Sequence, residues 1–355
     1  MKTDNRELKA RIAAARSRLH EKLKSIDFSA LGLSEYNQRY LRNKTARLDG
    51  VLQLYGRVLF DALSDGTVPL EDFTFVDYGG GSGLISSLAA ETGVGTVVYN
   101  DIYETSCEDV RLLTRALDLR LAHVVCGDVG GLVAYLQANR VRIDSIASYD
   151  VLEHIYDVES HFRALGGLQD PPYRVVYSSG ANIHNARYVR AMGRKQIEVE
   201  TRPRTGGWGH KDRDSLRAYL DVRREMIAAH APELDEATVD RLARETRGLI
   251  RADIERCVDE FRRDGRIGYR IDHPTNTCDP FTGNWHEHLI DQGWLGRVVR
   301  EAGFDVEIRT GRYNVYGPSW LKAAKTVLNL LLGLLGDRGM FLAPYYTVFA
   351  ERRRG

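Results

Sequence analysis

The stretch from residue 73 to 87, FTFVDYGGGSGLISS, constrains this chain more than any other. A short β-branched and aromatic run reads as a strand, and the LISSLAAET that follows carries a helical pattern. Between the two, Gly79, Gly81 and Gly83 recur at alternate positions. The backbone can therefore turn tightly there and approach a ligand with no Cβ in the way. The helix that opens next presents unpaired N–H donors and a partial positive charge at its N-terminus.

The same texture repeats downstream. TVVYND, AHVVCGD, IDSIASYD and YRVVYSS are further short apolar runs, separated by helical stretches such as CEDVRLLTRALDL and GLVAYLQANR. Strands alternating with helices predict a parallel sheet with right-handed crossovers. A helical lead-in spans residues 6–64, broken around 27–34. After Ser179 the alternation stops: residues 180–284 are charged and arginine-rich, with helices predicted over 212–231 and 236–264. The α/β texture resumes with a helix at 291–302 and strands at 304–309 and 345–351. The expected organisation is an N-terminal helical cap (1–70), an α/β domain (71–180 and 285–355) and a helical insertion (181–284).

At 355 residues the chain can bury a sizeable core. A net charge of +1 gives no global preference for nucleic acid or an anionic membrane. Four cysteines without C-x-x-C spacing suit a reducing cytoplasm better than a disulfide framework or a thiolate zinc site. The charged N-terminus does not read as a signal peptide. The most apolar run, residues 327–335, is about half the length of a spanning helix and is expected to pack inside the fold.

Acids close three successive strands: Asp77 just before the glycines, Asp101 after the second strand and Asp128 after the third. In open α/β sheets ligands bind outside the carboxyl ends of the strands, so the three are expected to face one crevice. Asp101 suits ribose hydroxyls, Asp128 an adenine amino group and Asp77 the amino group of a methionine moiety. A dinucleotide fingerprint wants a third glycine where Leu84 stands, and no GK[ST] phosphate loop follows.

VDYGGGSG, YND, CGD and SYDVLEHI, in that order at strand ends, resemble the motif set of class I S-adenosylmethionine-dependent methyltransferases. The resemblance covers residues 73–179 and resumes from Trp285. It implies a Rossmann-like, doubly wound, mostly parallel seven-stranded sheet. It also implies S-adenosylmethionine contacts at Asp77, Gly79, Gly81, Gly83, Asp101, Asp128 and Val129, with Ile102 against the adenine.

In SYDVLEHIYD, Asp150, Glu153 and His154 stand at i, i+3 and i+4, on one face if a helical turn follows the strand. Two carboxylates and an imidazole suit a divalent cation that lowers the pKa of a substrate hydroxyl. His154 acting alone as general base is a second reading, and purely local hydrogen bonding by Glu153 and His154 a third. The segment resembles those of ubiquinone-type O-methyltransferases and small-RNA 3′-terminal 2′-O-methyltransferases, where an acid-x-x-Glu-His cluster binds a metal. The resemblance implies Mg, Mn or Zn held by Asp150, Glu153, His154 and His286, although Asp150 stands where those families carry Glu.

The insertion has a basic excess, including Arg187, Arg190, Arg194, Lys195, Arg202, Arg204, Arg217, Arg223 and Arg224, which favours an anionic partner. His184, Arg202, Arg204 and Trp208 are the substrate candidates, in what the resemblance makes a substrate lid. The expected function is O-methylation of a small anionic or sugar-containing acceptor. Alternatives are an RNA 2′-O-methyltransferase, against which the near-neutral charge counts, and an inactive S-adenosylmethionine-binding scaffold.

Overall fold

The computed structural model describes residues 4–64, 66, 68–204 and 214–352. In chain order the elements are α1 (Asn5–Ser25), α2 (Glu35–Thr45), α3 (Leu48–Leu63), β1 (Thr74–Tyr78), α4 (Leu84–Thr92), β2 (Thr96–Asp101), α5 (Glu104–Ala116), β3 (His123–Cys126), α6 (Val129–Ala138), β4 (Ser145–Tyr149), α7 (Val158–Gly166) and β5 (Tyr173–Ser179). They continue with α8 (Ala186–Thr201), α9 (Tyr219–His230), α10 (Glu236–Glu245), α11 (Arg251–Asp264), α12 (Gln292–Glu301), β6 (Asp305–Thr310), α13 (Ser319–Leu335) and β7 (Tyr346–Arg352). Two compact units result: residues 1–152, 158–180 and 292–355 form the first, and residues 153–157 and 181–291 the second.

The first unit is built on one Rossmann-like seven-stranded sheet in the order β3-β2-β1-β4-β5-β7-β6. Strands β1 to β5 run parallel, and β7 lies antiparallel between β5 and β6. The parallel strands are near-continuous apolar runs because helices cover both of their faces. Edge strand β6 instead alternates, exposing Asp305, Glu307 and Arg309, charges that blunt an open edge.

The N-terminal helices share a hydrophobic core with the sheet: Leu8, Ile12, Leu19, Leu52 and Leu59 cluster with Phe75, Leu88 and Val176. Arg18 and Lys22 of α1 pair with Glu91 of α4. Asp109 of α5, only 5% exposed, accepts from the Ser34 amide (2.9 Å), the Ser34 hydroxyl and Asn37 Nδ2 (2.7 Å), tying the start of α2 to a sheet helix.

The 327–335 run departs from expectation. It forms the C-terminal half of α13, in which only Leu332 is buried. The segment is apolar enough for a core, but the flank of α13 that meets the first unit carries polar residues.

The second unit is helical around its own core of Leu220, Met226, Ile227, Leu242, Ile254 and Val258. The helix predicted over 236–264 is two helices, α10 and α11. They part at Gly248, whose φ is +83°, and a Cβ there would stand 2.8 Å from the Trp285 ring. The helix predicted from residue 212 is seen from Tyr219, and residues 205–213 lie outside the described residues.

Asp109→Ala is expected to destabilise the protein by about 2–3 kcal/mol, because it strands buried donors that a carboxylate satisfied. Urea denaturation checks this; a loss within about 0.5 kcal/mol would mean that α2 is held otherwise.

Candidate active site

The glycine turn of the first unit has a defined and locked shape. Gly79, Gly81 and Gly83 have φ of +66°, +53° and +75°, a left-handed conformation that is costly for other residues. A Cβ on Gly79 would also lie 2.6 Å from Val151, and one on Gly83 2.3 Å from Val110. Gly81 faces open space and is required for its conformation alone. Gly80 N–H donates to the Asn100 carbonyl (2.9 Å), Gly83 N–H to the Gly80 carbonyl (2.8 Å) and the Tyr99 hydroxyl to the Gly81 carbonyl (2.6 Å).

Asp101 is the bracket of this arrangement. It ends β2 almost fully buried, accepting from Gly81 N–H with Oδ2 (2.8 Å) and from Tyr103 N–H with Oδ1 (2.9 Å). Each carboxylate oxygen keeps a further lone pair. Ile102, beside it, is 41% exposed, an apolar side chain open to a flat ligand. Asp128 is exposed and caps α6, its Oδ1 accepting from Gly131 N–H (2.9 Å), and Val129 opens that helix half-buried.

Asp77 is buried. Its Oδ2 accepts from the Ser86 amide (2.9 Å) and hydroxyl (2.7 Å), which fixes the first turn of α4. Its Oδ1 is buried with no partner among the described residues. Burial raises its pKa to about 6 against the Ser86 hydrogen bonds, and the nearby Asp101 charge adds to the rise. An acceptor in this state suits a cationic or N–H-bearing ligand group.

Asp150 ends this unit's contribution. Its φ is +54°, its own N–H donates to the Ser178 carbonyl (2.9 Å) and its Oδ1 accepts from Gly180 N–H (3.3 Å), so it staples the ends of β4 and β5.

In the second unit, the His154 Nδ1 lies 2.8 Å from the Trp285 carbonyl oxygen. A carbonyl only accepts, so Nδ1 carries the proton and Nε2 is the basic nitrogen. Glu153 is fully buried, and its carbonyl accepts from His288 N–H (3.0 Å). His286 is held neutral: burial lowers its pKa to about 4, and Arg204, His154 and Lys195 lower it further against Glu287.

Among the described residues no group of three or more His, Cys, Asp and Glu stands together as a metal site. The expected cluster of Asp150, Glu153, His154 and His286 is therefore corrected. The cause is local: Asp150 is left-handed and Leu152–His154 is a 3₁₀ turn, so the α-helical spacing that aligns i, i+3 and i+4 is absent.

The substrate candidates are dispersed. His184 is exposed ahead of α8, and Arg202 is the exposed C-cap of α8. Arg204 is engaged within its unit, bonding the Ser215 carbonyl and the Tyr219 hydroxyl (2.9 Å) over the Tyr219 ring. Trp208 lies outside the described residues. Much of the basic excess is internally paired: Arg223 is buried against Glu200, Arg224 bonds Asp221 and Asp240, and Arg217 bonds Glu225. Exposed Arg187, Arg190 and Arg194 remain as a stripe on α8. The sequence did not single out Tyr99, which orders the glycine turn, or Trp285, which orients His154; neither belongs to a recognisable motif.

Residues 76–168 match the family model described as a methyltransferase domain, which runs from β1 to just beyond α7. This part of the chain is a methyltransferase domain. Three solved structures share its general architecture. The methyltransferase bound to the Haloferax volcanii Trm112 methyltransferase activator is 10% identical, with 90% of this chain and 98% of that chain covered at a TM-score of 0.44. The plantazolicin methyltransferase BpumL in complex with SAH is 10% identical, with 99% and 98% covered at 0.40. An S-adenosylmethionine-dependent methyltransferase from Mesorhizobium loti is 15% identical, with 85% and 98% covered at 0.37. These likenesses are too slight to say more of this chain. No curated protein matches it.

Asp77 makes a pH-dependent contribution that can be measured. Its folded pKa lies above the unfolded value of about 3.9, so folding favours the protonated form and stability declines as pH rises from about 4 to 6. Asp77→Asn keeps an acceptor for Ser86 and cannot ionise. In urea denaturation it should match the parent at pH 4 and equal or exceed it at pH 7, by on the order of 2 kcal/mol. A variant less stable at pH 7 than at pH 4, relative to the parent, would contradict this.

Proposed function

We propose that this protein transfers a methyl group from S-adenosylmethionine to a hydroxyl of a small anionic or sugar-containing acceptor, with His154 as general base. The observation that carries the cofactor half is the buried Asp77 Oδ1 with no protein partner, beside a rigid glycine turn and Asp101. These residues fit the cofactor. Asp77 would accept from the ammonium of the methionine moiety, Asp101 would accept from the ribose hydroxyls, and Ile102 would cover a face of the adenine. Asp128 would stand near its amino group, and Gly79, Gly81, Gly83 and Val129 would bring backbone close.

When bound, the cofactor supplies a methyl group on a sulfonium, whose leaving group is a neutral thioether. The work left to the protein is to make the acceptor oxygen nucleophilic, since a neutral alcohol reacts poorly near neutral pH. His154 is suited to that task because its proton sits on Nδ1 toward the Trp285 carbonyl. Nε2 can then take the acceptor's hydroxyl proton as the oxygen–carbon bond forms. Arg187, Arg190 and Arg194 on α8 would hold the acceptor's anionic group, in keeping with a lid role for residues 181–284.

Calorimetric titration of Asp101→Ala with S-adenosylmethionine should show a loss of about 2 kcal/mol or more, since two acceptor oxygens disappear and Gly81 loses its bracket. Unchanged affinity would place the ribose elsewhere. His154→Ala should lose about a hundredfold or more in kcat with cofactor affinity retained, and the parent activity should survive EDTA. Inactivation by chelator, reversed by added metal, would overturn the general-base assignment.

A further inference from the structure

Helix α13 is amphipathic in the reverse sense. The flank that meets the first unit carries Lys325, whose ammonium donates to the Tyr316 carbonyl (3.3 Å) and sits 4.1 Å over the Tyr316 ring. It also carries Asn329, which accepts from Tyr313 N–H (2.8 Å) and donates to the Tyr313 carbonyl (2.9 Å). The segment before the helix is itself fastened, since Asn314 Nδ2 donates to the Gly50 carbonyl (3.2 Å) and the Tyr313 hydroxyl to the Leu342 carbonyl (2.8 Å). The outward flank, by contrast, is a helical stripe: Trp320 is 72% exposed, Val327 55%, Leu330 64% and Leu334 85%, with Phe341 just beyond at 55%. Seven of the eleven large apolar side chains exposed among the described residues lie between Trp320 and Phe341, so this is a single patch and not scatter.

From this inverted helix we infer that α13 docks the protein onto an anionic lipid bilayer, lying in the headgroup region with Trp320, Leu330, Leu334 and Phe341 inserted. Charge selects the occupant. Between residues 311 and 345 there are Arg312, Lys322, Lys325 and Arg338 against Asp337 alone, in a chain whose total is only +1. Lys322 stands in the first turn, where the helix dipole disfavours a cation, so helix stability does not account for it. A second copy meeting this face by two-fold symmetry would set the same positive excess against itself, whereas anionic headgroups neutralise it. None of the described helices is long and apolar enough to cross a membrane, so α13 lies on the bilayer and does not span it. A Trp at one end, Leu between and cations at the rim is the composition that partitions to an interface.

Co-sedimentation of the full chain with two kinds of vesicle tests this: phosphatidylcholine mixed with phosphatidylglycerol, and phosphatidylcholine alone. The parent should sediment with the mixed vesicles, much less with the neutral ones, and less again as salt is raised. The double variant Leu330→Gln, Leu334→Gln keeps good helix formers and should lose about tenfold or more of the bound fraction, with its far-UV circular dichroism and Tm unchanged. Should its Tm fall, Trp320→Gln serves as the second variant with the same expected loss. The inference is overturned by no sedimentation with the mixed vesicles, by equal binding to neutral vesicles, or by binding that the folded variants retain. It is equally overturned if ultracentrifugation shows a dimer that the double variant dissolves while the parent ignores vesicles, since the stripe would then belong to a second copy.

Discussion

The hydrogen bond from Gly81 N–H to Asp101 Oδ2 is the contact on which the first unit's chemistry depends. A loop with three left-handed glycines in five residues is permissive by nature, and glycine loses more conformational freedom on folding than any other residue. Something must select one shape. Asp101 does so from below, and the Tyr99 hydroxyl and Asn100 carbonyl hold neighbouring atoms of the loop from the same strand. Strand β2 thereby sets the loop that follows β1. The parallel register, which pairs Asp77 with Tyr99 and Tyr78 with Asn100, is what puts these groups within reach.

The same acids that build the site work against the fold. Asp77 is ionised at neutral pH only at an energetic cost, because burial favours its neutral form and Asp101 adds a like charge nearby. A hydrophobic residue would be cheaper for the sheet, and the Ser86 hydrogen bonds recover only part of the penalty. Keeping one carboxylate oxygen buried and unpartnered makes sense when a ligand's charge completes it, which is a common relation between strain and function.

The strands were legible in sequence because parallel strands buried on both faces read as short apolar runs, and the acids could be placed because they end those runs. What escaped was direction and pairing. The 327–335 run announces apolarity but not which way it faces, and the polar partners that turn it outward, Tyr313 and Tyr316, lie in the loop before it. The basic excess of the insertion did not reveal that Arg223 is buried on Glu200 across 23 residues of chain. The Asp150, Glu153, His154 spacing suggested one helical face, yet a left-handed Asp150 is not written in residue spacing; it follows from the staple to Gly180 and Ser178.

Within the second unit a buried polar network sets the chemistry of His154 from a distance. Glu200 accepts from Arg223 and from the Thr277 hydroxyl (2.8 Å), with Arg247 3.8 Å away, so α8, α9 and the strand-like loop at Thr277 converge on one carboxylate. Thr277 in turn fixes the next loop, its carbonyl accepting from His286 N–H (2.9 Å), while Cys278 bridges to Trp285. Trp285 is clamped between Tyr156 and His288, and His288 is held by Asp272 (2.7 Å). The carbonyl of a residue restrained in so many ways cannot follow a rotating imidazole, so it is the imidazole that must conform, with its proton on Nδ1. The basicity of Nε2 is therefore a product of loop 272–288, which neither the helix nor the strand nearest to His154 supplies.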